Sequence, residues 1–299
     1  MGRRTMRVAV ALSALAVFTT GWVRESALAV PTCFGRPATI VVPTLPNENR
    51  QIIGTDGDDV IVGGAGDDII SGDLGDDRIC ARKGRDVVYG WEGNDHLSGA
   101  RGWDRLYAEM GNDVLGGGAG RDVLAGGLGS DVMRGGPGTD TADFTQDNLQ
   151  GPIIVDLGAG TATGASDSDV FGPGTIENVA MNCSAEQDDV LIGDDRPNGL
   201  NGGSGADLIR GNGGADALYG GSPYQDTGGA IFASTPPLSP TICTLDDGPD
   251  QLFGGSDDDR LYGQINDDVL DGEEGTDELD GGQGTDVCRN GELLIACET

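Results

Sequence analysis

Aspartates recur every nine residues along most of this chain, and their spacing is the first feature that could do chemistry. Residues 54–143 are ten consecutive nonapeptides of the form G-G-x-G-x-D-x-U-x, where U is a bulky apolar residue. The period returns for four copies from residue 184 and for five from residue 245. The aspartates at the sixth position are Asp59, Asp68, Asp77, Asp86, Asp95, Asp104, Asp113, Asp122, Asp131, Asp140, Asp189, Asp207, Asp216, Asp250, Asp259, Asp268, Asp277 and Asp286.

Each copy divides into a turn, G-G-x-G-x-D, and a three-residue strand, x-U-x. Glycine suits a turn with positive φ or close backbone packing, and the central U points inward because successive strand side chains face opposite ways. Two copies therefore form one coil of a flattened roll, with coils roughly 4.8 Å apart. The predicted fold class is all-β, a parallel β-roll or β-solenoid.

This geometry stacks the aspartates of copies n and n+2 into a ladder on each edge of the roll. Two carboxylates about 5 Å apart repel by roughly 0.8 kcal/mol even in water, and the cost recurs at every rung. A hard divalent cation between successive loops turns this repulsion between carboxylates into a net attraction, because both carboxylates then interact with the cation. An all-oxygen cage of carboxylates and free turn carbonyls suits Ca²⁺ better than Mg²⁺.

The repeats resemble the RTX, or haemolysin-type, calcium-binding β-roll family, which has the same nonapeptide. The resemblance covers nearly all of residues 54–143, 184–221 and 245–289, and the segment GPIIVDLGAGTATG, followed by IENV, is similar to spacers of that family. It implies that the eighteen aspartates named above are Ca²⁺ ligands, assisted by main-chain carbonyls. Ala81 and Ala108 replace the first glycine and Asn198 replaces an aspartate, so those sites are predicted to be weak or empty.

The number of ions follows from stacking. If each site needs two loops on one side, the three blocks hold about eight, two and three ions, or about a dozen Ca²⁺ in all. Residues 1–29 contain four arginines and one glutamate, so their removal lowers the formal net charge from −32 to −35. The positive charge of about a dozen Ca²⁺ ions is of the size needed to compensate this negative charge. The chain is predicted to be largely disordered without calcium and to fold on binding it after export.

The segments between and beside the repeats complete the predicted architecture. In the insert after the first block, Pro152–Leu157 alternates like a strand, and a Gly/Ser/Asp loop and a short apolar segment at Ile176 and Val179 follow. Near the end, Asn290-Gly291 indicates a type I′ hairpin. The predicted order is residues 1–29 signal peptide, 30–53 N-terminal cap, 54–143 first β-roll block, 144–183 non-repeat β insert, 184–221 second block, 222–244 Pro-rich loop, 245–289 third block and 290–299 C-terminal hairpin cap.

The first residues and the cysteines indicate export. A basic start at Arg3, Arg4 and Arg7, an apolar stretch too short for a membrane span and the A-x-A site Ala27-Leu28-Ala29 are typical of a signal peptide, through either general or twin-arginine export. Six cysteines without a C-x-x-C pair fit disulfides in an oxidising compartment. The favoured pairs, among connectivities that sequence leaves open, are Cys33–Cys80, Cys183–Cys243 and Cys288–Cys297.

Composition narrows the function. The strong negative charge disfavours nucleic acids and anionic membranes as partners. The chain has no H-E-x-x-H, no G-x-S-x-G and a single histidine, so metalloprotease and lipase sites are absent. The favoured function is a secreted, non-enzymatic calcium-binding protein that acts as a structural, adhesive or interaction module. The alternative is a calcium-dependent stabilising or regulatory unit of a secreted hydrolase or toxin.

One face of the predicted roll could bind a partner. Even-numbered copies place an aromatic and aliphatic strip on the outside of one sheet: Ile69, Val87, Tyr89, Arg105, Tyr107 and Val123. We weigh a docking surface around Tyr89 and Tyr107, for a cell-surface, matrix or protein partner or a second copy, against an ordinary sheet surface. The oligomeric state stays open.

Overall fold

A computed structural model describes residues 30–41, 49–145, 151–164, 167–181, 187–221 and 248–298. These residues form strands and turns, and none of them forms a helix long and apolar enough to span a membrane. The predicted signal peptide, the Pro-rich loop at 222–244 and the pair Cys183–Cys243 lie outside the described residues.

Two large sheets make up the described part of the chain. One has twelve strands, in spatial order Gln51–Ile53, Ile69–Leu74, Val87–Glu92, Arg105–Met110, Val123–Ala125, Thr141–Asp143, Asn178–Ala180, Gly199–Gly203, Ala217–Gly221, Arg260–Ile265, Glu278–Gln283 and Leu293–Ile295. The other has fourteen, in spatial order Ile40–Val41, Val60–Val62, Arg78–Lys83, His96–Gly102, Val114–Gly120, Val132–Arg134, Ser168–Phe171, Thr161–Thr163, Ile154–Asp156, Val190–Ile192, Leu208–Gly213, Gln251–Ser256, Val269–Glu274 and Val287–Arg289.

Successive repeats alternate between the two sheets, which confirms the parallel β-roll. Ile79, for example, pairs with Ile61 on one side and Leu97 on the other, in parallel register. The partners are two repeats away along the chain, so each coil of the roll consumes two nonapeptides.

The eighth-position residues form the core. Ile61, Ile70, Ile79 and Leu97 are completely buried, and the core cluster continues from Ile52 to Leu279. A fully buried aliphatic side chain of this size stabilises a fold by about 1.5–3 kcal/mol, and the repeat supplies one at almost every rung. Alternating burial along each strand therefore produces a thin core between the sheets.

The strands of the central repeats are longer than the predicted three residues. Ile69–Leu74 and Arg105–Met110 run from the seventh position of one copy through the third position of the next. The chain turns within this extension because the second position adopts the left-handed region, with φ 79° at Trp91 and 77° at Ala100. The first residues of each turn thus belong to the sheet.

The insert after the first block continues the roll. A strand at Ile154–Asp156 confirms the alternating segment, and Val179 lies in the strand Asn178–Ala180. The expected loop between them is wrong in part, because it contains the strands Thr161–Thr163 and Ser168–Phe171. Thr161–Thr163 pairs antiparallel with Ile154–Asp156 on one side and with Ser168–Phe171 on the other. The buried side chains of Val155, Ala162 and Phe171 extend the core.

The second and third repeat blocks stack directly on each other. Leu208–Gly213 pairs with Gln251–Ser256, and Ala217–Gly221 pairs with Arg260–Ile265, both in parallel. The residues that separate these strands in sequence do not interrupt the described sheets. The repeats therefore form one continuous roll.

Both ends of the roll carry a disulfide. At the N-terminal end, Ile40–Val41 pairs with Val60–Val62, and the predicted Cys33–Cys80 bond places the hairpin of Thr32–Cys33 and Arg36–Pro37 over one sheet face. At the C-terminal end, the predicted Cys288–Cys297 bond is present.

The predicted C-terminal hairpin is wrong. Val287–Arg289 and Leu293–Ile295 belong to opposite sheets and pair in parallel with earlier coils. Asn290 has the positive φ of a tight turn, 51°, but the turn starts another half-coil. Parallel pairing with the previous coils satisfies the backbone groups of both strands and keeps each of them in its own sheet.

The predicted exposed strip is also wrong at its centre. Ile69 is 48% exposed, but Tyr107 is only 3% exposed, and its ring stacks on Tyr89 with centroids 5.3 Å apart. Rungs roughly 4.8 Å apart let neighbouring rings cover each other. Burial, with the nearby carboxylate of Asp143, raises the pKa of Tyr107. A docking surface centred on Tyr107 is therefore not available.

Candidate metal sites

All eighteen predicted aspartates lie in two buried columns, one along each edge of the roll. The turns connecting the sheets place them there, because each sixth position directly precedes the inward-facing x-U-x strand. Within a column, neighbours are related by one coil. The backbone N–H of Asp59 donates to Oδ1 of Asp77 at 2.7 Å, and that of Asp95 donates to Oδ1 of Asp113 at 2.6 Å. The predicted ladder is therefore present, with hydrogen bonds as its links.

The second carboxylate oxygen has a different environment. In most rungs Oδ2 is buried and accepts no hydrogen bond from the described residues. This holds for Asp77, Asp86, Asp95, Asp104, Asp113, Asp122, Asp131, Asp140, Asp216, Asp259, Asp268, Asp277 and Asp286. The two rungs nearest the N-terminal end differ, because backbone N–H groups donate to their Oδ2 atoms. Thr55 N–H donates to Oδ2 of Asp59 at 2.8 Å, and Gly64 N–H donates to Oδ2 of Asp68 at 3.0 Å. Buried oxygens without donors call for a positive ligand.

The first-position glycine keeps the space beside Oδ2 open. A Cβ added at Gly72 would overlap Asp77 Oδ2 and lie 2.9 Å from the carbonyl oxygen of Gly90 in the next coil. At Gly254 the corresponding Cβ would overlap Asp259 Oδ2 and lie 2.7 Å from the carbonyl oxygen of Gly272. A carboxylate oxygen and a carbonyl oxygen thus face the same small space.

Alanine fills that space at two rungs. Ala81 and Ala108 are fully buried, and they stand at the first position of the copies that contain Asp86 and Asp113. Their methyl groups replace the open volume that glycine leaves elsewhere. The structure thus supplies a steric reason for the predicted weakness of these two sites.

Burial makes the ladder expensive to ionise without a cation. Desolvation raises the pKa of Asp77 and Asp104 to about 7, and that of Asp113 and Asp216 to about 8. The backbone hydrogen bond to Oδ1 opposes this rise but does not cancel it. A cation beside Oδ2 favours the carboxylate and lowers these pKa values.

The donor set fits calcium. Within the described ranges, no group of three or more His, Cys, Asp or Glu side chains could hold a metal ion by itself. A site in the ladder therefore combines few carboxylates with backbone carbonyls, all of them hard oxygen donors. Flexible all-oxygen cages of this type suit Ca²⁺.

Four acidic residues extend the ladders beyond the predicted set. Asp131 N–H donates to Asp169 Oδ1 at 2.9 Å, and Asp140 N–H donates to Glu177 Oε2 at 2.9 Å. At the last coil, Asp277 and Asp286 donate in the same way to Glu292 and Glu298, at 2.7 and 2.6 Å. Glu177 and Glu292 each stand directly before a strand, which is the signal that could have identified them, whereas Asp169 lies within the strand Ser168–Phe171.

Asn198 is a neutral rung of the ladder. Its N–H donates to Asp216 Oδ1 at 2.8 Å, its Oδ1 accepts from Asp194 N–H at 2.7 Å, and its Nδ2 donates to the Glu177 carbonyl oxygen at 3.1 Å. Asparagine therefore keeps the N–H link to the next rung and contacts the preceding rung through its amide group, while it removes the charge.

The ladders also cross the boundary between the second and third blocks. Asp207 N–H donates to Asp250 Oδ1 at 2.7 Å, and Asp216 N–H donates to Asp259 Oδ1 at 2.8 Å. The predicted ion count treated the blocks as separate stacks, and this premise is wrong. The number of ions stays a prediction.

A groove of about 1100 Å³ lies beside the insert, where the Pro173–Gly174 turn faces Arg210 and Phe253. Arg196, on its wall, is bound at 2.7 Å to both Asp194 and Glu177, and Arg210 lies 4.6 Å from the centre of the Phe253 ring. The arginine–carboxylate cluster holds the insert against the next coil.

Comparison with known proteins agrees with the geometry. The model of the RTX calcium-binding nonapeptide repeat matches residues 51–79, 81–115, 107–142, 192–222, 246–279 and 253–288. A comparison with curated proteins gave no significant match. The matched residues make up more than half of the chain and include every sixth-position aspartate named above except Asp189. The chain therefore belongs to the RTX calcium-binding nonapeptide repeat family.

Proposed function

We propose that this chain is a secreted, non-enzymatic calcium-binding protein that folds when it meets calcium outside the cell and then serves as a structural, adhesive or interaction module. The observation that supports it most is the pair of carboxylate columns, in which most Oδ2 atoms are buried without donors among the described residues and lie beside backbone carbonyls. A fold with so many desolvated acids has a strong reason to bind cations.

The sixth-position aspartates hold the ions, each through Oδ2, with first-position carbonyl oxygens of the neighbouring coil as further donors. Bound Ca²⁺ compensates the ladder charge and joins successive coils along each edge. The rungs beside Ala81 and Ala108, and the neutral rung at Asn198, bind least. Asp169, Glu177, Glu292 and Glu298 continue the same columns and stabilise the ends of each stack.

Export is supported by two features. Residues 1–29 have the pattern of a signal peptide, and Cys33–Cys80 and Cys288–Cys297 are disulfides that persist in oxidising surroundings. Extracellular calcium is millimolar, and a site with a Kd near 0.1 mM then adds about 1.4 kcal/mol of stability. Many such sites together decide whether the roll folds.

Circular dichroism of the chain lacking residues 1–29 tests the proposal. With millimolar Ca²⁺ we expect a β-sheet spectrum, and with excess EDTA a largely disordered one that recovers when calcium is restored. Mg²⁺ at the same concentration serves as the control ion and should not restore the fold. A folded spectrum that does not change in EDTA would exclude calcium-driven folding.

A further inference from the structure

The two edges of the first repeat block carry opposite charges. The turns of even-numbered copies lie at one edge. Three successive turns at this edge, residues 81–86, 99–104 and 117–122, together contain five cationic side chains. We define the basic edge by these residues: Arg82, Lys83, Arg85, Arg101 and Arg121. Apart from the buried sixth-position aspartates, these described turns contain no acidic residue. Such a cluster is unusual in a chain with formal net charge −32.

The basic edge is built by stacking along the roll. Trp103, 44% exposed, lies between two guanidinium groups, with Arg85 Cζ 5.4 Å and Arg121 Cζ 5.9 Å from its ring centre. Lys83 and Arg101 are in register on neighbouring strands, and both are exposed. Neither forms an ion pair with the described residues. Two like charges held side by side favour an anionic partner.

The opposite edge is acidic in the same coils. Turns of odd-numbered copies lie there, at residues 54–59, 72–77, 90–95 and 108–113, and these described turns contain no lysine or arginine. We define the acidic edge by its carboxylates outside the sixth position: Asp56, Asp58, Asp73, Asp76, Glu92 and Glu109. Asp76 is held by the backbone of the next coil, because Asn94 N–H donates to its Oδ1 at 2.8 Å.

Both edges repeat with the same rise, because they belong to the same coils. A row of cations on one molecule therefore matches a row of anions on another, rung for rung, when two rolls lie side by side. An unrelated polyanion would need to reproduce that spacing by chance. Charge complementarity and equal spacing together favour a second copy as the partner.

We propose that the basic edge of one molecule docks on the acidic edge of a second copy, so that rolls associate side by side. After the first contact one molecule keeps a free acidic edge and the other a free basic edge, so the interface is heterologous and extends into an open array instead of a closed dimer. This rests on the proposed calcium-driven fold, since only the folded roll aligns the charges, and it gives the proposed structural module a means of assembly.

Sedimentation velocity of the full mature chain in calcium, over a range of concentrations, tests the contact. The wild type should form species larger than a monomer as concentration rises, and 1 M NaCl should disperse them because the screening length falls from about 10 Å at 0.1 M salt to about 3 Å. The basic-edge variant Lys83→Glu/Arg101→Glu and the acidic-edge variant Glu92→Lys/Glu109→Lys should each associate about tenfold more weakly.

Mixing the two variants is the decisive step. The first variant reverses the charge at positions 83 and 101 of the basic edge, and the second reverses it at positions 92 and 109 of the acidic edge. A contact between the two altered edges restores opposite charges at these positions, so an equimolar mixture should recover the large species. The matched control Arg36→Glu/Arg289→Glu makes the same change in net charge as the basic-edge variant, at exposed positions away from both edges, and it should associate like the wild type. Circular dichroism in calcium checks that every variant is folded.

Several outcomes would overturn the contact without touching calcium-driven folding. One is a folded wild type that stays monomeric at all concentrations. Another is a basic-edge variant that associates normally, since calcium bridging between two acidic edges would then explain assembly. A third is a monomeric wild type that binds a sulfated polysaccharide through Lys83 and Arg101. Failure of calcium to induce any fold would instead refute the proposed function itself.

Discussion

At the scale of single residues, the sixth-position aspartate uses its two oxygens differently. Oδ1 accepts the N–H of the aspartate one coil earlier, as in Asp77 with Asp59, while Oδ2 is left without a donor beside a first-position carbonyl. An asparagine could still accept the N–H through its single amide oxygen, but its NH₂ group could not serve as the second, cation-binding oxygen. The strict choice of aspartate in the first block therefore indicates that the second oxygen matters.

Asp77→Asn is expected to separate these roles. The amide keeps an oxygen for Asp59 N–H, and its NH₂ takes the place of Oδ2 beside the carbonyl of Gly90. In calcium the variant should bind one or two fewer ions by titration calorimetry, and in EDTA it should be more stable by on the order of 1 kcal/mol.

The neighbouring substitution Asp76→Asn is the control. Asp76 is exposed and accepts the N–H of Asn94, and the same fifth position is asparagine in later copies. The ion count should not change. Equal losses of calcium in Asp76→Asn and Asp77→Asn would contradict the assignment of the buried oxygen as the ligand.

The second position of the turn carries backbone strain in the middle of the first block. Asp73, Arg82, Trp91, Ala100 and Glu109 have φ between 77° and 88°, a region where side chains other than glycine are disfavoured. Glycine occupies this position in later copies, as at Gly118 with φ 105°. The central turns of the first block therefore carry side chains at a position where glycine would make the fold more stable.

Ala100→Gly should accordingly stabilise the folded protein in calcium by about 1 kcal/mol, because the left-handed conformation no longer strains a Cβ. Ala119→Gly, at a position without positive φ, should instead destabilise it by about 0.5–1 kcal/mol. Urea denaturation of both variants measures the difference. Equal effects would show that φ does not determine the outcome.

At the scale of elements, each column is a run of carboxylates that share one kind of environment. Burial, not sequence neighbours, is the main reason that their pKa values rise, and the acids in non-repeat segments follow the same pattern. Asp169, for example, has its pKa raised to about 7 by burial in the insert. A non-repeat strand that pairs in the roll can therefore supply a rung of the column when it carries an acidic residue at the matching position.

The pH dependence without calcium follows from the sign of these shifts. The pKa of Asp104 is about 7 and that of Asp113 about 8 in the folded state, against 3.8 for the unfolded reference. The folded ladder binds more protons across this window, so stability is highest at low pH and is lost as pH rises through the folded values.

Lowering the pH from 8 to 5 in EDTA should therefore increase the β-sheet signal in circular dichroism. In calcium the dependence should reverse, because protons and Ca²⁺ compete for the same oxygens and the apparent Kd should rise at pH 5. A β-sheet signal that falls on acidification in EDTA would refute the argument.

In the molecule as a whole, the three repeat blocks form one continuous roll. The core cluster contains Ile52 and Leu279, and the hydrogen bonds from Asp207 to Asp250 and from Asp216 to Asp259 carry both ladders across the last junction. In a solenoid, stability is the sum of repeat terms and of interfaces between neighbours. Intact interfaces favour folding as one unit.

Calcium titration of the mature chain can test this continuity. After removal of residues 1–29, the tryptophans are Trp91 and Trp103, both in the first block, whereas circular dichroism reports on all blocks. The midpoints of the fluorescence and dichroism transitions should coincide. Midpoints that differ several-fold in calcium concentration would show that the first block folds independently.

The repeat period alone predicts the fold, the inward apolar residues and the two aspartate ladders, because it leaves one way to bury U and stack the rest. The disulfides Cys33–Cys80 and Cys288–Cys297 were one choice among several until the structure placed these cysteines together, and the way in which irregular segments join the pattern also depends on long-range contacts. The acids Asp169, Glu177, Glu292 and Glu298 became rungs, the Asn290-Gly291 turn became a half-coil, and Tyr107 was covered. Pairing with the adjacent coil satisfies backbone groups and buries apolar surface, and these long-range gains outweigh the local preferences that a sequence displays.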